Sequence, residues 1–142
     1  MVDPDIVLAK LDILERCLRR IADARARREE MAPIDADDII ALNLQRAIQA
    51  AIGLAAHVVA EEGYGIPDST AALFTLLNQE GVIDRDLAER LRKMGGFRNI
   101  ALYEYRKVDP AIVEAMVTKR LEDLCALGKR VVEVFKLRDG RA

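Results

Sequence analysis

The chain has 142 residues, 51% of them hydrophobic, with 22 basic and 24 acidic side chains and a formal net charge of -2. A chain of this length scales as one domain, 1–142, and removes roughly 70% of its extended surface from water, enough for a core without covalent staples. The near balance of charge excludes a general polyanion binder, so any nucleic-acid contact needs a local patch. Cys17 and Cys125 lie far apart with no metal-ligand spacing, and the longest nearly uncharged run, Ala47 to Ala60, is short for a bilayer and carries Gln49 and His57. The start, Met1-Val2-Asp3-Pro4-Asp5, is acidic and unlike a signal peptide. These features predict a cytoplasmic protein with reduced thiols and no membrane association.

A first helix is expected from about Asp5 to about Glu30, because Val7, Leu11, Leu14, Leu18 and Ile21 recur at alternating spacings of four and three. Its tail, Arg25 to Glu30, has no large apolar residue and should be solvated or frayed before Pro33. A second helix follows, with Asp35 or Asp37 as its N-cap and Gly63 as its stop. Ile40, Leu44, Ala47, Ala51, Leu54 and Val58 form one stripe, and Ile39, Leu42, Ile48, Ile52 and Val59 widen it, so this helix should be central. The lone His57 on it reads as a partly buried hydrogen-bonding residue, not a ligand. Gly63 to Pro67 is a turn, Asp68 or Ser69 caps a short helix through Leu77 that Gly81 ends, and Asp84 caps the next one. Gly95-Gly96 either breaks that helix or lets it approach a neighbour closely. A last helix, from Asp109-Pro110 to about Leu137, carries the stripe Val113, Val117, Leu121, Leu124, Gly128, Val131 and Phe135. The expected fold is an all-α, antiparallel up-and-down bundle of three long helices with two short ones between them.

The segment Arg98-Asn99-Ile100-Ala101-Leu102-Tyr103-Glu104-Tyr105 departs from this scaffold pattern. Between Arg90 and Lys107 there are six basic residues against the single acid Glu104, so positive charge is local to it. Phosphate loops, paired cysteines, HExxH and GxSxG elements are absent from the sequence. Arginine offers a planar charged fork suited to phosphate, and a neighbouring asparagine can orient it or a substrate. On a straight helix Arg98 and Tyr103 are about 140° apart, while Asn99 faces with Tyr103 and Arg98 with Tyr105. Either the helix is irregular there, or the site is completed by the same segment of a second subunit about a two-fold axis. Taken alone, these eight residues also fit an arginine ion-paired on a helix surface beside two packed tyrosines.

Phe97 to Tyr105 resembles the signature of the HepT family of HEPN-domain toxins, in which Arg-Asn and a few apolar residues are followed by His-x-Tyr after a lead like Met94-Gly95-Gly96-Phe97. The resemblance extends to Leu42-Asn43-Leu44-Gln45-Arg46-Ala47-Ile48-Gln49, Gly65-Ile66-Pro67, Phe74-Thr75-Leu76-Leu77 and Val108-Asp109. It implies a helical homodimer acting as a metal-independent endoribonuclease toxin, with tRNA among its targets and no cofactor. It also implies a partner, an MntA-type minimal nucleotidyltransferase antitoxin that adenylylates the tyrosine of His-x-Tyr. By position, Arg98 and Asn99 match the catalytic pair and Tyr105 matches the modified tyrosine; the local positive charge makes Arg106 and Lys107 the candidates for RNA contact.

Tyr103 stands where the family has histidine. Attack of a 2′-hydroxyl on RNA phosphate needs proton transfer near neutrality, which suits a group of pKa about 6.5 and not a phenol near ~10. Loss of a general acid or base costs about 10²- to 10⁴-fold in rate, so weak or absent activity is expected from this chain. The alternative class is a non-catalytic helical partner or substrate-binding subunit of a nucleotidyltransferase.

Overall fold

Asp3 begins the first helix: its carboxylate accepts the Asp5 N–H at 2.9 Å, and Pro4 occupies a position where a missing N–H leaves nothing unpaired. The computed structural model describes the backbone of residues 1–103 and 110–137, and side chains within 1–98 and 111–137. Helix α1 (Pro4–Ala26) closes into one 3₁₀ turn (Arg28–Glu30), where Arg27 pairs with Asp23 and Glu30. The charged tail is therefore exposed as expected, but tightened by its own ion pairs.

Helix α2 (Pro33–Glu62) starts earlier than its acidic residues suggested. Pro33, not a capping aspartate, sets the first turn; Asp35 lies inside that turn, and Asp37 accepts Arg28 Nη1 at 2.8 Å. It ends at Gly63, whose φ of +64° is the left-handed conformation that closes a helix at little cost only without a Cβ. Then come α3 (Thr70–Gln79), with Ser69 Oγ accepting the Ala72 N–H at 3.1 Å, and α4 (Arg85–Tyr103), with Asp84 Oδ1 accepting the Leu87 N–H at 2.8 Å.

The expected single last helix is two, α5 (Pro110–Lys119) and α6 (Leu121–Val134), so the described residues hold six α-helices and not five. Thr118 explains the break. Its hydroxyl donates to the Glu114 carbonyl at 2.8 Å and contacts that of Ala115 at 3.3 Å, competition that bends a helix, and Arg120 leaves helical geometry two residues later. The apolar stripe keeps its phase across the break, which is why periodicity alone missed it.

The helices pair antiparallel. Arg28 with Asp37 closes one end of the α1–α2 pair, and the Asp3 N–H donating to His57 Nε2 at 3.0 Å closes the other. Arg92 reaches Thr75 between α3 and α4, Arg90 with Asp123 ties α4 to α6, and Arg130 of α6 donates to the Val82 carbonyl in the turn before α4. The core centres on α2, whose Ile40, Leu44, Ile48, Leu54 and Val58 are almost wholly buried, with Leu14, Ile21, Phe74, Leu77, Leu91, Met94, Leu124 and Leu127 around them. By length and composition α2 could cross a bilayer, which the Ala47 to Ala60 run does not indicate; 56% of its most apolar 18-residue stretch is buried inside the bundle, as a central helix requires.

Candidate functional site

The Arg98 segment is the last part of α4, and α4 is held on three sides before it gets there. Leu87, Leu91 and Met94 enter the core, with Phe97 packed against its edge. Arg90 Nε donates to Asp123 Oδ1 of α6 at 2.9 Å, and Arg92 Nη1 donates to Thr75 Oγ1 of α3 at 3.1 Å. Asp123 is 7% exposed, so the guanidinium compensates a carboxylate taken out of water. Arg90 thus serves the fold, and the positive charge read along Arg90 to Lys107 is not all offered to a ligand.

Gly95-Gly96 does not break α4. A Cβ on Gly95 would lie 3.1 Å from Thr70 Cγ2, so the glycine lets the start of α3 press against α4, the second of the two roles its sequence allowed. The helix runs through to Tyr103 with Arg98 half-buried. On a continuous helix Arg98 and Tyr103 are about 140° apart and Asn99 and Tyr103 about 40° apart. Helical irregularity is thereby removed as the way to bring Arg98 and Tyr103 together on α4. Asn99 and Tyr103 are placed by backbone only, and Tyr105, Arg106 and Lys107 lie outside the described residues.

Other groups take different parts. His57 is partly buried and its Nε2 is occupied by the Asp3 N–H, so it secures the start of α1 to α2. Burial raises the Cys17 thiol above its ordinary range, and desolvation together with the Glu122 carboxylate raises Cys125, which disfavours thiolate nucleophiles at neutral pH. Among the described residues no three His, Cys, Asp or Glu side chains gather as a metal site. Sequence reasoning missed Asp123 and Thr75 as the anchors of α4. The available signal was Asp123 itself, an acid four residues before Leu127 and eight before Val131 on a buried face.

A helical bundle of antiparallel pairs, with Arg-Asn near the end of its fourth helix, defines a HEPN-type protein. The chain belongs to the ribonuclease HepT-like family, whose model matches residues 10–131. It is 36% identical over 133 residues to the mRNA nuclease HepT of Shewanella oneidensis, covering 93% of this chain and 97% of that protein. It is 30% identical over 104 residues to a putative RNase of Archaeoglobus fulgidus, covering 73% and 77%. The fold matches a Shewanella oneidensis HEPN toxin, tri-AMPylated and in complex with an MNT antitoxin, at a TM-score of 0.82 and 32% identity over 91% of this chain and 98% of that one. A toxin–antitoxin structure with AMP-PNP matches with the same values.

Proposed function

We propose that this chain is the ribonuclease toxin subunit of a toxin–antitoxin pair, a single-domain homodimer working in the cytoplasm with an MntA-type nucleotidyltransferase antitoxin. Likeness to HepT over nearly the full length and to a HEPN toxin bound to an MNT antitoxin supports the pairing. The continuity of α4 through Tyr103 carries the assembly. Arg98 and Tyr103 diverge on one helix, so two copies of the segment, related by a two-fold axis, supply one cleft with what neither copy gathers alone.

In that cleft Arg98 holds the phosphate and Asn99 orients it. The ribose 2′-oxygen attacks phosphorus, the bond to the 5′-oxygen breaks, the 2′-hydroxyl proton is lost, and the leaving oxygen takes one up. The proton transfers are the weak point. A phenol near pKa ~10 is ionised in only about one molecule in a thousand at pH 7, so Tyr103 donates a hydrogen bond well and accepts a proton poorly. Arg106 and Lys107 extend the charge beside the cleft. Tyr105 is the adenylate acceptor, and each adenylate brings a phosphodiester charge and a base to the place where RNA phosphate binds.

Tyr103→His tests this reading directly, with a gain of at least about 100-fold in RNA cleavage expected without added metal. A folded Tyr103→His dimer that neither cleaves RNA nor slows growth would overturn it. The non-catalytic nucleotidyltransferase partner, which the present Tyr103 favours, would then be the better account. Incubation with the antitoxin, ATP and magnesium should add adenylate that Tyr105→Phe abolishes; modification persisting in that variant would move the acceptor to another residue.

A further inference from the structure

On the flank of α1 opposite the groove that Leu11 and Leu18 form with α6, Arg16 and Arg20 stand one turn apart. They meet Arg46 of α2 across a recess of about 360 Å³ that Ile13, Cys17 and Asn43 complete. Burial raises the Cys17 thiol, and the charges of Arg46, Arg16 and Arg20 each oppose that rise, so all three guanidinium groups bear on one point. Arg16 has a carboxylate partner, Asp12 at 3.2 Å, but among the described residues Arg20 and Arg46 form no ion pair. Asn43 is 2% exposed. Its Nδ2 donates to the Ile39 carbonyl at 2.8 Å, which fixes the amide, and its Oδ1 has no hydrogen-bond partner among the described residues.

This arrangement asks for a ligand that brings negative charge to the arginines and a donor to the amide oxygen. An RNA strand carries both in adjacent positions, a phosphate and a ribose 2′-hydroxyl, and the 36% exposed Ile13 offers an apolar edge for sugar or base.

We propose that the Arg16–Arg20–Arg46 recess is a second RNA-contact site, binding a backbone phosphate, with a neighbouring 2′-hydroxyl donating to Asn43 Oδ1. The proposal rests on the RNA reading above. Phosphate charge sets the affinity of this contact and the hydroxyl sets its preference for RNA.

The test is fluorescence anisotropy of the full chain with a labelled single-stranded RNA and its 2′-O-methyl counterpart. Wild type is compared with Arg20→Ala/Arg46→Ala and with Arg98→Ala. Arg20 and Arg46 are exposed, so a melting curve matching wild type is expected from the double variant. That variant should bind RNA about tenfold more weakly, with a salt slope reduced by about 0.7, the value of one single-strand phosphate. It should also lose most of the preference for RNA over the methylated strand. Unchanged RNA binding by the double variant, alongside weakened binding by Arg98→Ala, would overturn the recess and leave the RNA reading standing. RNA binding by neither wild type nor Tyr103→His would overturn both. Normal RNA binding with loss of the nucleotidyltransferase complex would make the recess a protein-docking site and overturn the proposal.

Discussion

Helices α1 and α2 face each other along most of their length, whereas the described residues of α5 bury Met116 and Val117, pack Val113 at the edge of the core and leave Ile112 50% exposed. Helix α2 buries thirteen of its 30 residues, and the bundle's stability sits there. Helix α5 is the opposite case, with little burial of its own among the described residues. On the proposed function, the contrast separates the residues that fold this chain from those that would do its chemistry. Arg90 and Asp123 are the main exception, since they join α4 to α6 just below the segment.

The largest effects should appear in activity with stability untouched. Adding Arg98→Ala to a Tyr103→His chain should remove the whole gain of at least about 100-fold in RNA cleavage, because phosphate charge loses its fixed partner. Both forms should melt within a few degrees of each other, as changes outside the packed core usually do. A large fall in melting temperature for Arg98→Ala would break the separation between the two regions.

The converse test lies in α2. Leu44 is fully buried, and Leu44→Ala should cost about 2–5 kcal/mol in chemical denaturation, through lost transfer energy and the cavity left behind. Ile112→Ala, on the exposed face of α5, should stay within about 0.5 kcal/mol in the same measurement. A large cost at Ile112 in dilute protein would show that α5 is covered by a second copy even there.

How far sequence alone reaches follows the same division. Leu44, Leu54 and Val58 are legible because one helix needs one apolar stripe, and Gly63 and Ser69 are legible because their local chemistry ends or begins a helix regardless of what lies nearby. The break at Arg120 is not, since a threonine hydroxyl turned back on its own carbonyls leaves the periodicity intact. Within the site, Arg98 and Asn99 stand out by residue type and Tyr103 by its departure from the family pattern. The anchors Asp123 and Thr75 need the third dimension, as does the meeting of Arg16 and Arg20 with Arg46. These contacts join residues on different helices, and no spacing within one helix encodes them.

The exception should behave as an exception. Arg90→Ala leaves the Asp123 carboxylate buried without its cation, and a cost of about 1–3 kcal/mol is expected, the lower range applying because the arginine side chain is 37% exposed. In the Tyr103→His background it should also lower cleavage, because α4 loses its tie to α6. Arg90→Ala/Asp123→Asn should recover part of the stability by removing the uncompensated charge. Recovery of stability without recovery of cleavage would assign the pair to positioning α4 in addition to folding.

The smallest effects come from the two thiols, Cys17 buried in the α1–α2 pair and Cys125 exposed on α6. Cys17 lies in the α1–α2 half at 5% exposure, whereas Cys125 is exposed on α6, so a thiol reagent at pH 8 should label Cys125 in the folded protein and reach Cys17 only when the helices open. An opening that costs about 3 kcal/mol separates the two rates by about 100-fold. Both thiols are also raised in the folded state, Cys17 by burial and Cys125 by desolvation and Glu122, from an ordinary value of 9.0. Below that value folded and unfolded chains both keep the proton, and the stabilising contribution is fully present. As pH rises past it the unfolded chain releases the proton first, so stability falls until the folded thiols ionise too. Denaturant midpoints measured on either side of pH 9.0 should show that alkaline fall, and it should shrink in Cys17→Ala or Cys125→Ala. Equal labelling of the two cysteines would mean that α1 and α2 open with almost no cost, and the stability of the bundle would not sit in that pair.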